Sequence, residues 1–308
     1  MFNSSLVSHF VLGAYIDIGP FKYAAFLILL LMYGGILLSN LLLIVIICLN
    51  RTLHEPMYLF LCSLFFNELY GSTAIFPMLL FQILQDNHEV SSVMCLLQIF
   101  ALYSYGGIEF ATIALISYDR YLAICCPLRY NSIMTPNKIA GLIALTWCYF
   151  ILLNIVITYG LIAPLTLCGN ILRKVYCDNF YVVRLSCFDT RLNNIFGLTH
   201  VFAVILGLIL LIIYTYIRIL HVCLNGSKQT RQKALSTCTP HLLSLMNFSF
   251  GAFYEIMHSR FDTLALPNPL RVFLSLYWLI VQPLINPLVY GLKMNKIRLI
   301  LRMLLCGK

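Results

Sequence analysis

YAAFLILLLMYGGILLSNLLLIVIICLN, from Tyr23 to Asn50, runs between Lys22 and Arg51 without one Asp, Glu, Lys or Arg. About 20 consecutive apolar residues suffice for a helix to cross a bilayer. Inside hydrocarbon the backbone can bond only to itself, which leaves a helix or a closed barrel. Barrel strands are short and alternate polar with apolar side chains, unlike this stretch. It reads as a spanning helix.

The pattern recurs along the chain. Charge-free intervals lie between Lys138 and Arg173, Arg191 and Arg218, Lys233 and Glu255, and Arg271 and Lys293. Two more hold a single acid each: Glu68 between Glu55 and Asp86, and Glu109 between Glu89 and Asp119. Composition agrees, since 61% of the 308 residues are hydrophobic and 10% charged. A soluble domain runs about 45–50% apolar and about 25% charged. A soluble enzyme is excluded, and so is a disordered chain, which would be rich in charge and poor in aromatics. We read residues 1–308 as one domain, an all-α membrane protein built as a seven-transmembrane helix bundle. The spans are expected near 24–49, 57–84, 92–124, 139–165, 192–222, 232–257 and 270–292. A short amphipathic helix inside the cell is expected near 294–305.

Charge sets the orientation. With the N-terminus extracellular, the inner segments hold thirteen lysines and arginines against Glu55 and Asp119, and the outer segments hold seven against seven acids. Basic loops stay inside. The basic excess faces anionic lipid and cytosolic partners, and nothing points to nucleic acid. The first twenty residues lack a basic stretch followed by an apolar core, so the first helix is expected to direct insertion. Asn3-Ser4-Ser5 is a glycosylation acceptor on the outer tail.

Of twelve cysteines, Cys95, Cys168, Cys177 and Cys187 fall outside, where disulfides persist. Four cysteines allow three pairings. Zinc is the alternative, weakened by wide spacings and the lack of a loop histidine.

Glu109 and Arg120 lie eleven residues apart, close to three helical turns, so Leu102, Gly106, Glu109, Ile113, Ile116 and Arg120 share one face. A carboxylate in lipid is expensive, so this face looks into the bundle. Asp119 can hold Arg120 by a charge-assisted pair at the inner boundary. The alternative is a snorkelling arginine beside a boundary acid. Glu68 and Glu109, with Asn40 and Asn286, form a candidate sodium site, since hard cations take oxygen ligands. The alternative is a polar network with one proton and no metal. Pro287 kinks the last span, either as a static bend or as the bistable element of a switch.

Four motifs now stand in order. They are Leu53-His54-Glu55-Pro56-Met57-Tyr58, Ser117-Tyr118-Asp119-Arg120-Tyr121-Leu122-Ala123-Ile124-Cys125, Lys233-Ala234-Leu235-Ser236-Thr237-Cys238-Thr239-Pro240-His241-Leu242, and Pro283-Leu284-Ile285-Asn286-Pro287-Leu288-Val289-Tyr290-Gly291. The outer loop adds Leu167-Cys168-Gly169-Asn170, Tyr176-Cys177-Asp178 and Cys187-Phe188-Asp189-Thr190. Over almost its whole length the chain resembles an odorant receptor of the rhodopsin-like (class A) G-protein-coupled receptors. Ser259-Arg260-Phe261 and Glu55-Pro56-Met57-Tyr58 look most like the fish-type, class I branch. The family usually has Asp where this chain has Glu68. It commonly has an aromatic where this chain has Ser249.

The resemblance implies a plasma-membrane, multi-pass receptor, not an enzyme, with no cofactor beyond the candidate Na+. It implies disulfides Cys95–Cys177 and Cys168–Cys187, and coupling through Asp119, Arg120, Tyr121, Tyr216, Lys233, Asn286, Pro287 and Tyr290. Its partners would be a small-molecule odorant, membrane lipid and a stimulatory, olfactory-type G protein that raises cAMP. The expected pocket comprises Leu102, Tyr103, Gly106, His200, Ala252, Phe253 and Ile256, with Arg260 at its rim. Arg260 is a candidate clamp for a carboxylate odorant; the alternative is a pair with Glu255, Asp262 or Asp178. Cys306 is a candidate for palmitoylation. A transporter would show repeats and broken half-helices, and none is found. An intramembrane enzyme would show a nucleophile–base pair or metal motif, also not found. A retinal photoreceptor would need a lysine midway along helix seven. A non-olfactory chemoreceptor for a small metabolite is the standing alternative.

Overall fold

The computed structural model describes residues 7–225, 228–261 and 267–306. Helix α1 (Phe21–Leu49) starts behind Gly19 and Pro20; the φ of 53° at Gly19 is one that favours glycine. It ends at Asn50, whose Nδ2 donates to the Ile46 carbonyl over 2.7 Å, satisfying a group the helix end leaves open. Helix α2 (Pro56–Leu84) opens on a proline, where a missing N–H costs nothing. Helix α3 (Ser92–Cys125) is capped by Ser91, whose hydroxyl accepts from the Met94 amide. Helix α4 (Pro136–Ile155) is capped by Thr135 and widens into a π-helical stretch over Val156–Ile162. Helices α5 (Arg191–Asn225), α6 (Lys228–Phe261), α7 (Asn268–Lys293) and α8 (Asn295–Cys306) follow. Helix α6 runs about a turn beyond the interval expected from charge at both ends, because leaving the hydrocarbon does not oblige a helix to stop.

Among the described residues, α1 to α5 and α7 are long and apolar enough to cross a membrane. Helix α6, with Lys228, Arg231 and Lys233 in its first turns, packs against α3, α5 and α7 and completes the seven-helix bundle. Helix α3 is the axis, in contact with α2, α4, α5 and α6. Leu31, Leu38, Leu210, Ile217 and Leu224 on α1 and α5 stay exposed, as lipid-facing side chains do. The core has an inner half, with Phe60, Leu64, Ile113 and Ile116, and an outer half, with Ile75, Phe76, Leu102 and Phe248. Buried polar side chains separate the two halves. Helix α8 turns off α7 with Ile297 buried and Leu299, Met303 and Leu304 exposed, and Lys296 pairs with Glu55 at 2.5 Å.

A small sheet covers the outer end. Strand β1 (His9–Leu12) lies between β2 (Glu89–Ser91), paired antiparallel, and β3 (Ile171–Leu172), paired parallel. Disulfides join Cys95 to Cys177 and Cys168 to Cys187. All four outer cysteines are consumed, which leaves no thiolate for zinc. The first bridge ties the loop between α4 and α5 to the start of α3, and Gln98 Oε1 accepts from the Cys177 amide beside it at 2.8 Å.

Helix α4 approaches α3 over Gly107. A methyl group there would lie 2.1 Å from the Phe150 ring. Gly107→Ala is expected to destabilise the receptor by about 1–3 kcal/mol through overpacking. Thermal melting of the purified protein checks this, and the same substitution should cost less in a Phe150→Ala background, where the clashing ring is gone.

Candidate functional site

The outer half of the bundle contains a cavity of about 150 Å³. Helix α3 supplies Leu102, Tyr103, Gly106 and Phe110, α5 supplies His200, and α6 supplies Phe248, Ala252 and Ile256. Six of the eight residues expected from the sequence thus line one space. Phe253 does not: it is 64% exposed and points away from the bundle. The reason is helical phase, since Ala252 and Ile256, four apart, share the inner face and Phe253 is rotated about 100° off it. The Arg260 side chain lies outside the described residues. The lining also includes Phe150 and Asn154 of α4, Tyr176 and Asp178 of the loop, Glu255 of α6 and Trp278 of α7. The aromatic expected to be missing at Ser249 is supplied one position earlier. Phe248 is buried edge-on to Phe110 at 4.8 Å, and to Tyr105 and Trp278 at 6.0 Å.

Above the cavity the loop is bolted to two helices. Lys174 Nζ donates to Glu255 Oε1 at 2.5 Å and to Ser275 Oγ at 2.7 Å. The Tyr176 hydroxyl donates to the same Glu255 oxygen at 3.0 Å. Asp178 accepts from the Tyr103 hydroxyl at 3.2 Å and from the Tyr181 amide at 3.3 Å. Burial pushes the Asp178 carboxyl above its ordinary pKa, the negative charge of Glu255 adds to the shift, and Lys174 opposes it.

Below the cavity lies a polar layer. Glu109 accepts from Asn67 Nδ2 (3.0 Å), Asn286 Nδ2 (3.1 Å) and Gln282 Nε2 (3.2 Å). Glu68 accepts from the Tyr105 hydroxyl at 3.0 Å and from Asn286 Nδ2. Both acids are fully buried. Asn40 bonds to neither acid, donating instead to the carbonyls of Ile36 (2.9 Å) and Pro283 (3.0 Å). Proline cannot donate, so Pro287 leaves the Pro283 carbonyl four residues earlier without its helical partner. Asn40 takes that place.

At the inner end Arg120 Nε donates to Asp119 Oδ2 at 2.9 Å, with a second contact from its Nη2. Tyr130 donates its hydroxyl to the other Asp119 oxygen at 2.7 Å. Tyr290 is fully buried and shares a hydrogen bond with His241 Nδ1 at 3.2 Å. The Tyr216 hydroxyl is buried without a hydrogen-bond partner among the described residues. Tyr121 packs in the same region, its ring 6.2 Å from that of Tyr214.

A family model described as olfactory receptor matches residues 29–308. Olfactory receptor 52N1 of Homo sapiens is 34% identical over 264 residues, 84% of this chain and 82% of its own length. Olfactory receptor 52N4 of Homo sapiens is 36% identical, over 80% of this chain and 77% of its own. Olfactory receptor 6E1 of Mus musculus is 32% identical, over 98% and 96%. The chain belongs to the olfactory receptor family. It is therefore a multi-pass membrane receptor and not an enzyme, with an odorant and a G protein as partners in general terms. The matches give the family without dividing it into branches.

For this olfactory receptor, Asn3 and the side chains of Lys233 and Cys306 also lie outside the described residues. The sequence reading missed Asn67, Tyr105 and Gln282 in the polar layer, and Lys174, Glu255 and Ser275 above the cavity. Tyr105 carried a signal, because it stands four residues before Glu109 on one helix face. Lys174 and Glu255 carried none, being 81 residues apart in the chain. Glu109→Leu would leave the amides of Asn67, Asn286 and Gln282 without their shared acceptor. We expect it to cost about 2–5 kcal/mol, read as a lower melting temperature of the purified receptor.

Proposed function

We propose that a small, mainly apolar odorant occupies the outer cavity and activates a stimulatory, olfactory-type G protein, raising cAMP. The observation that carries the reading is an apolar cavity standing above a polar layer and an Asp119–Arg120 pair on the same central helix. The odorant stabilises the active arrangement by its higher affinity for it. In that arrangement α6 swings away from α3, Arg120 leaves Asp119, and Tyr216 and Tyr290 close beneath it. The Pro287 kink and the basic start of α6, Lys233 included, belong to the moving parts. The carboxylate clamp at Arg260 is the competing ligand reading, but the charged side chains that line the cavity among the described residues are acids.

The polar layer also fits Na+. Two carboxylates face each other, and Oδ1 of Asn40, Asn67 and Asn286 is buried without a partner among the described residues, leaving oxygen ligands to spare. We propose Glu68, Glu109 and Asn286 as the holders of that ion, with Asn67 and Asn40 beside them. The ion would supply positive charge against two acids.

Two experiments test these readings. In cells expressing the receptor with an olfactory-type G protein, Arg120→Ala should abolish odorant-driven cAMP at unchanged surface level. Leu102→Trp, which fills the cavity, should abolish the response while Arg120-dependent basal signalling persists. A response that survives both substitutions contradicts the proposal. For the ion, replacing choline chloride by sodium chloride at constant ionic strength should raise the melting temperature of the purified receptor. Glu68→Gln should remove that rise.

A further inference from the structure

We infer that the outer cavity selects a small cationic ligand, an amine whose ammonium group lies against Asp178 and Glu255. This rests on the reading of that cavity as the odorant site and names the ligand class. Both carboxylates line the cavity, whereas Lys174 does not. Its surroundings include a separate small outer cleft, shared with Arg173 and Arg271. The ion pair is thus oriented with its acid toward the ligand space and its base toward the outside. No lysine or arginine lines the cavity among the described residues; Asn154 and His200 are its other polar groups apart from the tyrosines and Trp278.

The charges do not balance. Asp178 and Glu255 are 4% and 7% exposed, and one buried ammonium, Lys174, stands beside them. One negative charge is left over in a space walled by Leu102, Phe110, Phe248 and Trp278. A buried carboxylate without a cation takes a proton instead. The upward shift of the Asp178 carboxyl, caused first by burial and then by Glu255, runs in the direction expected of a carboxylate short of a cation. An entering ammonium supplies the missing positive charge. It finds two acceptors in a cavity also lined by the aromatic side chains of Tyr103, Tyr176 and Trp278. A carboxylate ligand in the same place would add a negative charge where one already stands uncompensated.

The test uses the purified full-length receptor in nanodiscs and three probes of similar shape: benzylamine, benzyl alcohol and benzoate. Binding is read from the shift of the melting temperature with probe concentration. Benzylamine should bind tightest and benzoate weakest. Asp178→Asn should weaken benzylamine by about tenfold or more, the scale of losing one desolvated charge partner, and leave benzyl alcohol unmoved. Asparagine keeps the N-cap that Asp178 provides for the turn Asn179–Val183, so this variant should fold. Lys174→Met should strengthen benzylamine, because it removes the competing ammonium. Benzoate binding as well as benzylamine, or benzylamine indifferent to Asp178→Asn, overturns the inference while leaving the cavity as a ligand site. If none of the three probes shifts the melting of a cooperatively folded receptor, the cavity reading falls and the inference with it. Amine binding that persists without any cAMP response supports the inference and counts against the proposed coupling alone.

Discussion

Glu68 and Glu109 stand side by side in the middle of an apolar bundle, and the arrangement of the surrounding helices follows from what they require. A buried carboxylate is tolerated only when its oxygens are occupied. The donors come from α2 (Asn67), α3 (Tyr105) and α7 (Gln282, Asn286), so these three helices are held to one another at mid-depth. Withdrawing any of them opens a buried polar group. Helix α6 is held differently. Among the described residues its hydrogen bonds to the layer run through Gln282, which bonds Ser244 at 2.9 Å and Asn247 at 2.5 Å. The helix proposed to move is therefore attached to the layer at second hand.

The layer also touches both ends of the receptor. Tyr105 gives its hydroxyl to Glu68 while its ring stacks on Trp278 and meets Phe248, and both of those rings line the cavity. Downward, Asn286 is followed at once by Pro287, and one turn later by Tyr290 against His241. An occupant of the cavity is thus two side chains from the carboxylates, and the carboxylates are one helical turn from the inner tyrosine. Packed contacts of this kind can carry coupling when the element they act on has two arrangements. In the proposed mechanism that element is the last span at Pro287, where the freed Pro283 carbonyl is held by a side chain from α1.

Much of this was legible in the sequence because hydrocarbon imposes a simple rule. Seven intervals poor in charge gave seven helices, and the two acids inside them marked the one place where polar groups had to gather. The α3 stripe from Leu102 to Arg120 was readable because helical periodicity is fixed. The outer sheet was not readable. Strand β1 has four residues, and its partners β2 and β3 lie far along the chain. The direction of Phe253 failed for a different reason. A list of pocket residues drawn from one stretch of α6 includes neighbours that helical rotation turns outward. The link between Lys174 and Glu255 depends on how a disulfide-tied loop folds back, and no local pattern encodes that.

That loop gives Glu255 two duties. Through Lys174 and Tyr176 it fastens the loop to α6, with Ser275 drawing in α7, while Cys177 fastens the same loop to α3. The bond to α3 is covalent and the bond to α6 is ionic, so a movement of α6 against α3 strains the ionic attachment first. The carboxylate that makes this attachment also faces the cavity. Any polar occupant that reaches it competes with Lys174 for its oxygens. Occupancy of the cavity and anchoring of α6 to the loop are therefore not independent, because a single carboxylate takes part in both.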